Sequence, residues 1–169
     1  MDIILIGMPG CGKTTIGKLL ADRLNMEFAD ADAEIEKYEG RGIPDIFEID
    51  GEEYFRRVET ECLKNMLGLN RVISTGGGVV VTEENHRILK ESGAAVVFID
   101  RPTECIMNDI DTADRPLLAE GKERIKKLYT ERDDKYLSVC NIRVVNDKAK
   151  DDVIVKIIEE VKNYEDNGN

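Results

Sequence analysis

Gly7-Met8-Pro9-Gly10-Cys11-Gly12-Lys13-Thr14 satisfies G-x-x-x-x-G-K-[ST] at every defined position. It stands between a short apolar run, Ile3 to Ile6, and a segment in which Ile16, Leu19, Leu20 and Leu24 recur at helical spacing. A strand, a glycine-rich turn and an amphipathic helix in that order leave few fold classes open. The glycines let the backbone wrap a phosphate with its N–H groups pointing inward. The helix N-terminus adds a positive partial charge. Lys13 is placed to reach the β- and γ-phosphates and Thr14 to offer a hydroxyl to Mg²⁺. The motif implies nucleoside triphosphate binding through Gly10, Cys11, Gly12, Lys13, Thr14 and Thr15, and leaves the fate of the nucleotide open. Thr15 reads as a helix residue rather than a metal ligand.

The rest of the chain repeats the alternation. Met26 to Ala29, Val72 to Ser74, Ala95 to Ile99 and Ile142 to Val145 read as strands. Helices are expected over Glu52 to Leu67, from near Thr82 to a stop at Gly93, over Pro102 to Ile110, and along Ile154, Ile157, Ile158 and Val161. The tail from Glu165 to Asn169 should fray. This pattern predicts an α/β fold: three layers, α/β/α, with a mainly parallel five-stranded central sheet and the phosphate loop after strand 1. At 169 residues the chain suits one domain, 1–169. The polar stretch Asp111 to Glu123 reads as a mobile lid.

Charge and cysteine usage exclude several classes. With 24 Lys and Arg against 35 Asp and Glu, the net charge is −11, which argues against nucleic acid and against an anionic membrane surface. No apolar run approaches the ~20 residues of a membrane span. The N-terminus lacks a basic leader, and the chain is expected to be cytoplasmic and monomeric. The four cysteines lie far apart with no Cys-x-x-Cys pair, as expected of reduced and mostly buried thiols. The single histidine, His86, reads as a surface helix residue.

Four further elements carry candidate chemistry. Asp30-Ala31-Asp32 comes after the second strand. Two carboxylates two residues apart in extended chain would face the same way, one toward Mg²⁺ and one toward a substrate hydroxyl. Equally, Asp32 would serve as N-cap of the next helix. Arg56 stands beside inward-facing Phe55 with Glu59 one turn on, which makes either a surface ion pair or an arginine fork for a carboxylate. Thr75-Gly76-Gly77-Gly78 suggests close approach of backbone to a ligand, or a plain loop. Arg115 would close over a transferring phosphate from the lid, and Arg132 by itself reads as part of a solvated charged face.

The order of GMPGCGKTTIGKLLA, DAD, DIFEIDGEEYFRRVE, STGGG, RPLL and then Arg132 with Tyr136 closely resembles the shikimate kinase family of small-molecule kinases, from Ile3 to about Val145. The resemblance implies ATP as cosubstrate, Mg²⁺ as cofactor and phosphoryl transfer to the 3-hydroxyl of shikimate, a step toward chorismate and the aromatic amino acids. It implies a substrate-binding helical segment at about 32–66 and a lid at about 111–123. By the same resemblance Lys13 neutralises the β/γ-phosphates, and Thr14 and Asp30 associate with Mg²⁺. Asp32 binds and orients or deprotonates the attacking hydroxyl. Arg56 and Arg132 hold the shikimate carboxylate, and the backbone of Gly77 and Gly78 contacts the same molecule. Phe47, Phe55 and Pro116 wall the pocket, and Arg115 meets the phosphates and adenine. Two rival readings stand beside it: a kinase for another polyol acid such as gluconate, and a non-catalytic module that senses ATP.

Overall fold

The computed structural model describes residues 1–111 and 118–168. Five strands, β1 (Ile3–Ile6), β2 (Glu27–Asp30), β3 (Arg71–Ser74), β4 (Ala95–Asp100) and β5 (Ile142–Val145), form one sheet in the order β2-β3-β1-β4-β5. Every pairing is parallel. Parallel strands need crossovers, and helices supply them: α1 (Lys13–Leu24), α2 (Ala31–Glu39), α3 (Ile43–Ile49), α4 (Gly51–Met66), α5 (Glu83–Glu91), α6 (Thr103–Asp111), α7 (Leu118–Val139) and α8 (Lys150–Asp166). A 3-10 turn spans Val79–Val81.

β1 and β4 are buried along their whole length, the burial of strands covered on both faces. β4 packs against both α7 and α8, and α1 packs on α8 and on β1 to β3. Their apolar side chains form the main core, from Ile4 and Leu5 through Phe98 to Ile154 and Ile157. A second, smaller core of Ile35, Ile46, Phe55, Val58 and Cys62 lies under α2, α3 and α4. It gives the segment expected at 32–66 a packing unit of its own beside the sheet.

Boundaries depart from expectation where tertiary contacts decide. β2 runs one residue later than its apolar letters suggest and ends on Asp30. α3 starts with Pro44 in its first turn and buries a single apolar residue, Ile46, too faint a period to read in sequence. The tail does not fray at Glu165: α8 continues to Asp166, its inner face held by Val153, Ile154, Ile157 and Val161. Residues 112–117 of the expected lid lie outside the described residues, but Leu118 to Glu123 are the first turns of α7 rather than loop. Cys11 and Cys62 are buried and Cys105 and Cys140 half-buried, all as free thiols. Among the described residues no helix is long and apolar enough to cross a membrane.

Candidate active site

In parallel α/β sheets, ligands bind beyond the carboxyl ends of the strands. Those ends here carry Gly7, Asp30, Ser74, Asp100 and Asn146, and a cleft of about 950 Å³ opens over them. Gly10, Gly12, Lys13, Thr14, Thr15, Asp30, Asp32, Ser74 and Gly77 line it. Gly7 has φ 146°, and a Cβ there would stand 2.6 Å from the Ile99 carbonyl oxygen, so only glycine lets the chain leave β1 beside β4.

The N-terminus of α1 is prepared for an anion. Gly12 occupies its N-cap with no side-chain cap bond, and its first turn holds no acidic residue. By contrast α2, α3, α4, α5, α6 and α8 each carry Asp or Glu in the first turn. In so acidic a chain, that leaves the α1 amides and dipole uncompensated. Lys13 is buried, and its Nζ donates to the carbonyls of Gly7 at 2.8 Å and Met8 at 2.9 Å. The Cys11 side chain is fully buried beneath the loop, so only its backbone is available to a nucleotide.

Thr14 Oγ1 donates to Asp30 Oδ2 at 2.9 Å and lies 3.4 Å from Ser74 Oγ. The sheet register makes this: Asp30 and Ser74 are partners across β2 and β3. Asp30, not Asp32, is the N-cap of α2. Its Oδ1 accepts from the amides of Asp32 and Ala33, which fixes the carboxylate and leaves Oδ2 to Thr14. Asp32 therefore sits in the first helical turn rather than two residues along a strand, and it reaches the cleft by another route than the extended spacing suggests. Burial pushes its carboxyl above the ordinary range, Asp30 pushes it further, and Lys13 opposes both. Its side chain stays open to the water of the cleft, so screening limits the effect.

The three glycines after β3 each admit a different neighbour. A Cβ on Gly76 would meet Asp32 Oδ1 at 2.7 Å and Glu59 Oε1 at 3.2 Å; on Gly77, Pro9 Cδ at 2.6 Å; on Gly78, Arg56 Cζ at 2.8 Å. The plain-loop reading thus gives way to a packed junction. Arg56 Nη1 donates to Glu59 Oε2 at 2.8 Å, and Nε and Nη2 donate to Glu52 Oε1 at 3.2 and 3.1 Å. Glu59 is buried, and desolvation raises its carboxyl although the Arg56 charge pulls it down. Arg132 Nη1 donates to the Gly77 carbonyl at 3.0 Å, which also accepts from Tyr136 Oη at 2.5 Å. Arg132 is therefore no member of a free charged face. Phe47 is part-exposed and packs on Phe55 with ring centroids 4.6 Å apart; Phe55 itself lies in the second core and backs Arg56. Arg115 and Pro116 lie outside the described residues.

Similarity to known proteins decides which family carries this constellation. The profile of the family described as "Shikimate kinase" matches residues 9–162. The chain belongs to the shikimate kinase family. A shikimate kinase of Clostridium botulinum (strain Alaska E43 / Type E3) is 50% identical over 156 residues, 92% of this chain and 93% of that protein. The shikimate kinase of Acinetobacter baumannii, solved in complex with shikimate, superposes with a TM-score of 0.85 at 32% identity, covering 96% of this chain and 93% of that one. That of Aquifex aeolicus gives 0.83 at 37%, covering 99% and 100%. A gluconokinase from Sinorhizobium meliloti covers 99% of this chain and 97% of its own at a TM-score of 0.61, but at 14% identity the likeness is one of fold alone. As a member of the shikimate kinase family the chain is an ATP-dependent kinase.

Several site residues carry no mark in the sequence. Ser74 enters through strand register, Glu52 through its bonds to Arg56, and Asn146 through packing: its Nδ2 donates to the Cys11 carbonyl at 2.9 Å, and its own amide donates to Asp100 O at 2.8 Å. His86 is half-buried rather than a surface residue. Its Nε2 lies 2.6 Å from the Val80 carbonyl, and neighbouring Asn85 Nδ2 donates to Val79 O at 2.9 Å. Together they hold the 3-10 turn after Gly78. No local pattern marks a lone Asn or Ser as such a brace.

Proposed function

We propose that this chain transfers the γ-phosphoryl group of ATP directly to the 3-hydroxyl of shikimate, giving shikimate 3-phosphate and ADP. One observation carries the reading. The unopposed N-terminus of α1 with Lys13 shares a cleft with Asp32, and two arginines, Arg56 and Arg132, converge on Gly77 and Gly78 beside it. One end receives a polyphosphate; the other offers cations to a carboxylate and a carboxylate to a hydroxyl.

Phosphoryl transfer asks little covalent work of a protein, so positioning and charge neutralisation dominate. Lys13 neutralises the β/γ-phosphates at the end of α1. Arg56 turns its fork from exposed Glu52 to the incoming carboxylate, while buried Glu59 keeps its direction. Arg132 supplies the second cation, and the Gly77 and Gly78 backbone closes the acceptor side. Asp32 accepts the proton of the attacking hydroxyl, a task its raised pKa suits. The phosphoryl group then passes in line, with no phosphoenzyme.

Mg²⁺ fits the residues present. Thr14, Asp30 and Ser74 bring oxygen atoms alone to one place, the ligand type of a hard cation that takes most of its shell from phosphates and water. Thr14 would hold it directly and Asp30 through water; when bound, it neutralises charge on the transferring phosphate.

Mass spectrometry of the acceptor tests the proposal. Incubation with ATP and Mg²⁺ is expected to add one phosphoryl group to shikimate and none to gluconate or AMP. Transfer to gluconate in place of shikimate would overturn it.

A further inference from the structure

The carbonyls of the glycine turn after β3 are held in two ways. Gly76 O accepts from the Val79 amide at 3.2 Å and Gly78 O from the Val81 amide at 2.9 Å, so backbone satisfies both. Gly77 O, between them, is held by two side chains of α7: Arg132 Nη1 at 3.0 Å and Tyr136 Oη at 2.5 Å. Those two residues stand one helical turn apart, on one face. Gly77 has little room to shift in search of another donor, because a Cβ there would lie 2.6 Å from Pro9 Cδ and 2.9 Å from Pro9 N. The two donors differ in their commitments. Arg132 is part-exposed, and its charge draws it to any carboxylate that enters the acceptor side. Tyr136 is fully buried, with its ring stacked on Phe98 at a centroid distance of 5.0 Å. Burial raises its phenol above the ordinary range, against the pull of the Arg132 charge, so the hydroxyl keeps the proton it donates.

We propose that Tyr136 is a positioning residue for the acceptor: its hydroxyl keeps the Gly77 carbonyl bonded while Arg132 turns to the acceptor carboxylate. A buried carbonyl left without a donor is unfavourable, so an arginine that alone held Gly77 O would resist leaving it. With Tyr136 in place the arginine is free to move, and the turn that carries Gly77 and Gly78 keeps its shape. This rests on Arg132 as a carboxylate ligand, and it deepens the kinase reading by naming the residue that makes that arginine available.

The test measures shikimate binding by calorimetry, beside steady-state kinetics, for the intact chain, Tyr136→Phe, Arg132→Ala and the double variant. Circular dichroism checks folding. Tyr136→Phe is expected to weaken shikimate about tenfold, in binding and in KM, with the KM for ATP within about twofold. In the Arg132→Ala background no arginine leaves Gly77 O on binding, so adding Tyr136→Phe should change shikimate affinity less than about twofold. Unchanged shikimate affinity in Tyr136→Phe, or the same tenfold loss with and without Arg132, would overturn the assignment. A merely structural tyrosine would lower Tm and leave this coupling at zero. If Tyr136→Phe does not fold, the carbonyl ¹³C resonance of Gly77 reads the exchange in the intact chain. It is expected to keep a hydrogen-bonded shift when shikimate is added; movement to that of an unbonded carbonyl overturns the assignment. Binding needs no turnover, so failure of the kinase reading registers separately, as an intact chain that binds shikimate and does not phosphorylate it.

Discussion

Gly78 and Arg56 are fitted to one another: a Cβ on the glycine would stand 2.8 Å from Cζ of the guanidinium. Gly78 has φ −97°, so no backbone strain requires glycine there; the requirement is the space that Arg56 fills. Gly78→Ala therefore displaces the arginine tip without unfolding the loop. The KM for shikimate is expected to rise about tenfold or more, with the KM for ATP within about twofold. Steady-state kinetics with each substrate varied in turn checks this.

Glu59 and Arg56 form a pair of which Glu59 is buried and Arg56 largely so. Removing Glu59 leaves the Arg56 charge balanced only by exposed Glu52. Glu59→Ala is expected to cost about 3 kcal/mol, or about 6–12 °C in Tm for a chain of this size, and to raise the KM for shikimate. Glu59→Gln keeps an acceptor for Nη1 and should lose less of both. Calorimetry beside kinetics separates the two effects.

Asp32 must be ionised to take a proton, and burial with the nearby Asp30 charge holds its pKa above the ordinary carboxylate range. A raised pKa means the protonated, inactive form persists to higher pH. kcat/KM should therefore fall as pH drops and this carboxylate takes up its proton. Asp32→Asn is expected to lower turnover about 10²–10⁴-fold, to abolish that acid limb, and to leave ATP binding largely intact. An equal loss of binding would contradict the role.

Asn146 ties β5 to the phosphate loop through the Cys11 carbonyl. Asn146→Ala strands that buried acceptor, a cost of about 1–3 kcal/mol, and frees the loop. The KM for ATP is expected to rise about tenfold, while the KM for shikimate moves little.

The residues that share the site differ in how they can be read. Lys13, Thr14 and the glycine loop are legible because their signal is local: a strand, a turn and a helix in sequence. The all-parallel sheet comes from the same alternation. Asp30 and Asp32 are legible as a pair but not in their roles, because β2 ends one residue beyond its apolar run and turns Asp30 into the cap. Ser74 and Asn146 enter only through contacts that span 60 and 135 residues of chain. Glu52 shares the first turn of α4 with Glu53, and only the folded helix shows which of the two meets Arg56. Arg132 read by itself, His86 and the start of α7 misread because a charged or polar stretch gives no sign of which carbonyl it will meet once folded.

The most direct test of the central claim is ADP release from ATP and Mg²⁺, measured in a coupled assay with and without shikimate. The account predicts rapid release with shikimate, a small fraction of it with gluconate, AMP or no acceptor, and none once a chelator removes the divalent cation. Release at one rate regardless of shikimate, from protein that still binds ATP, would contradict it.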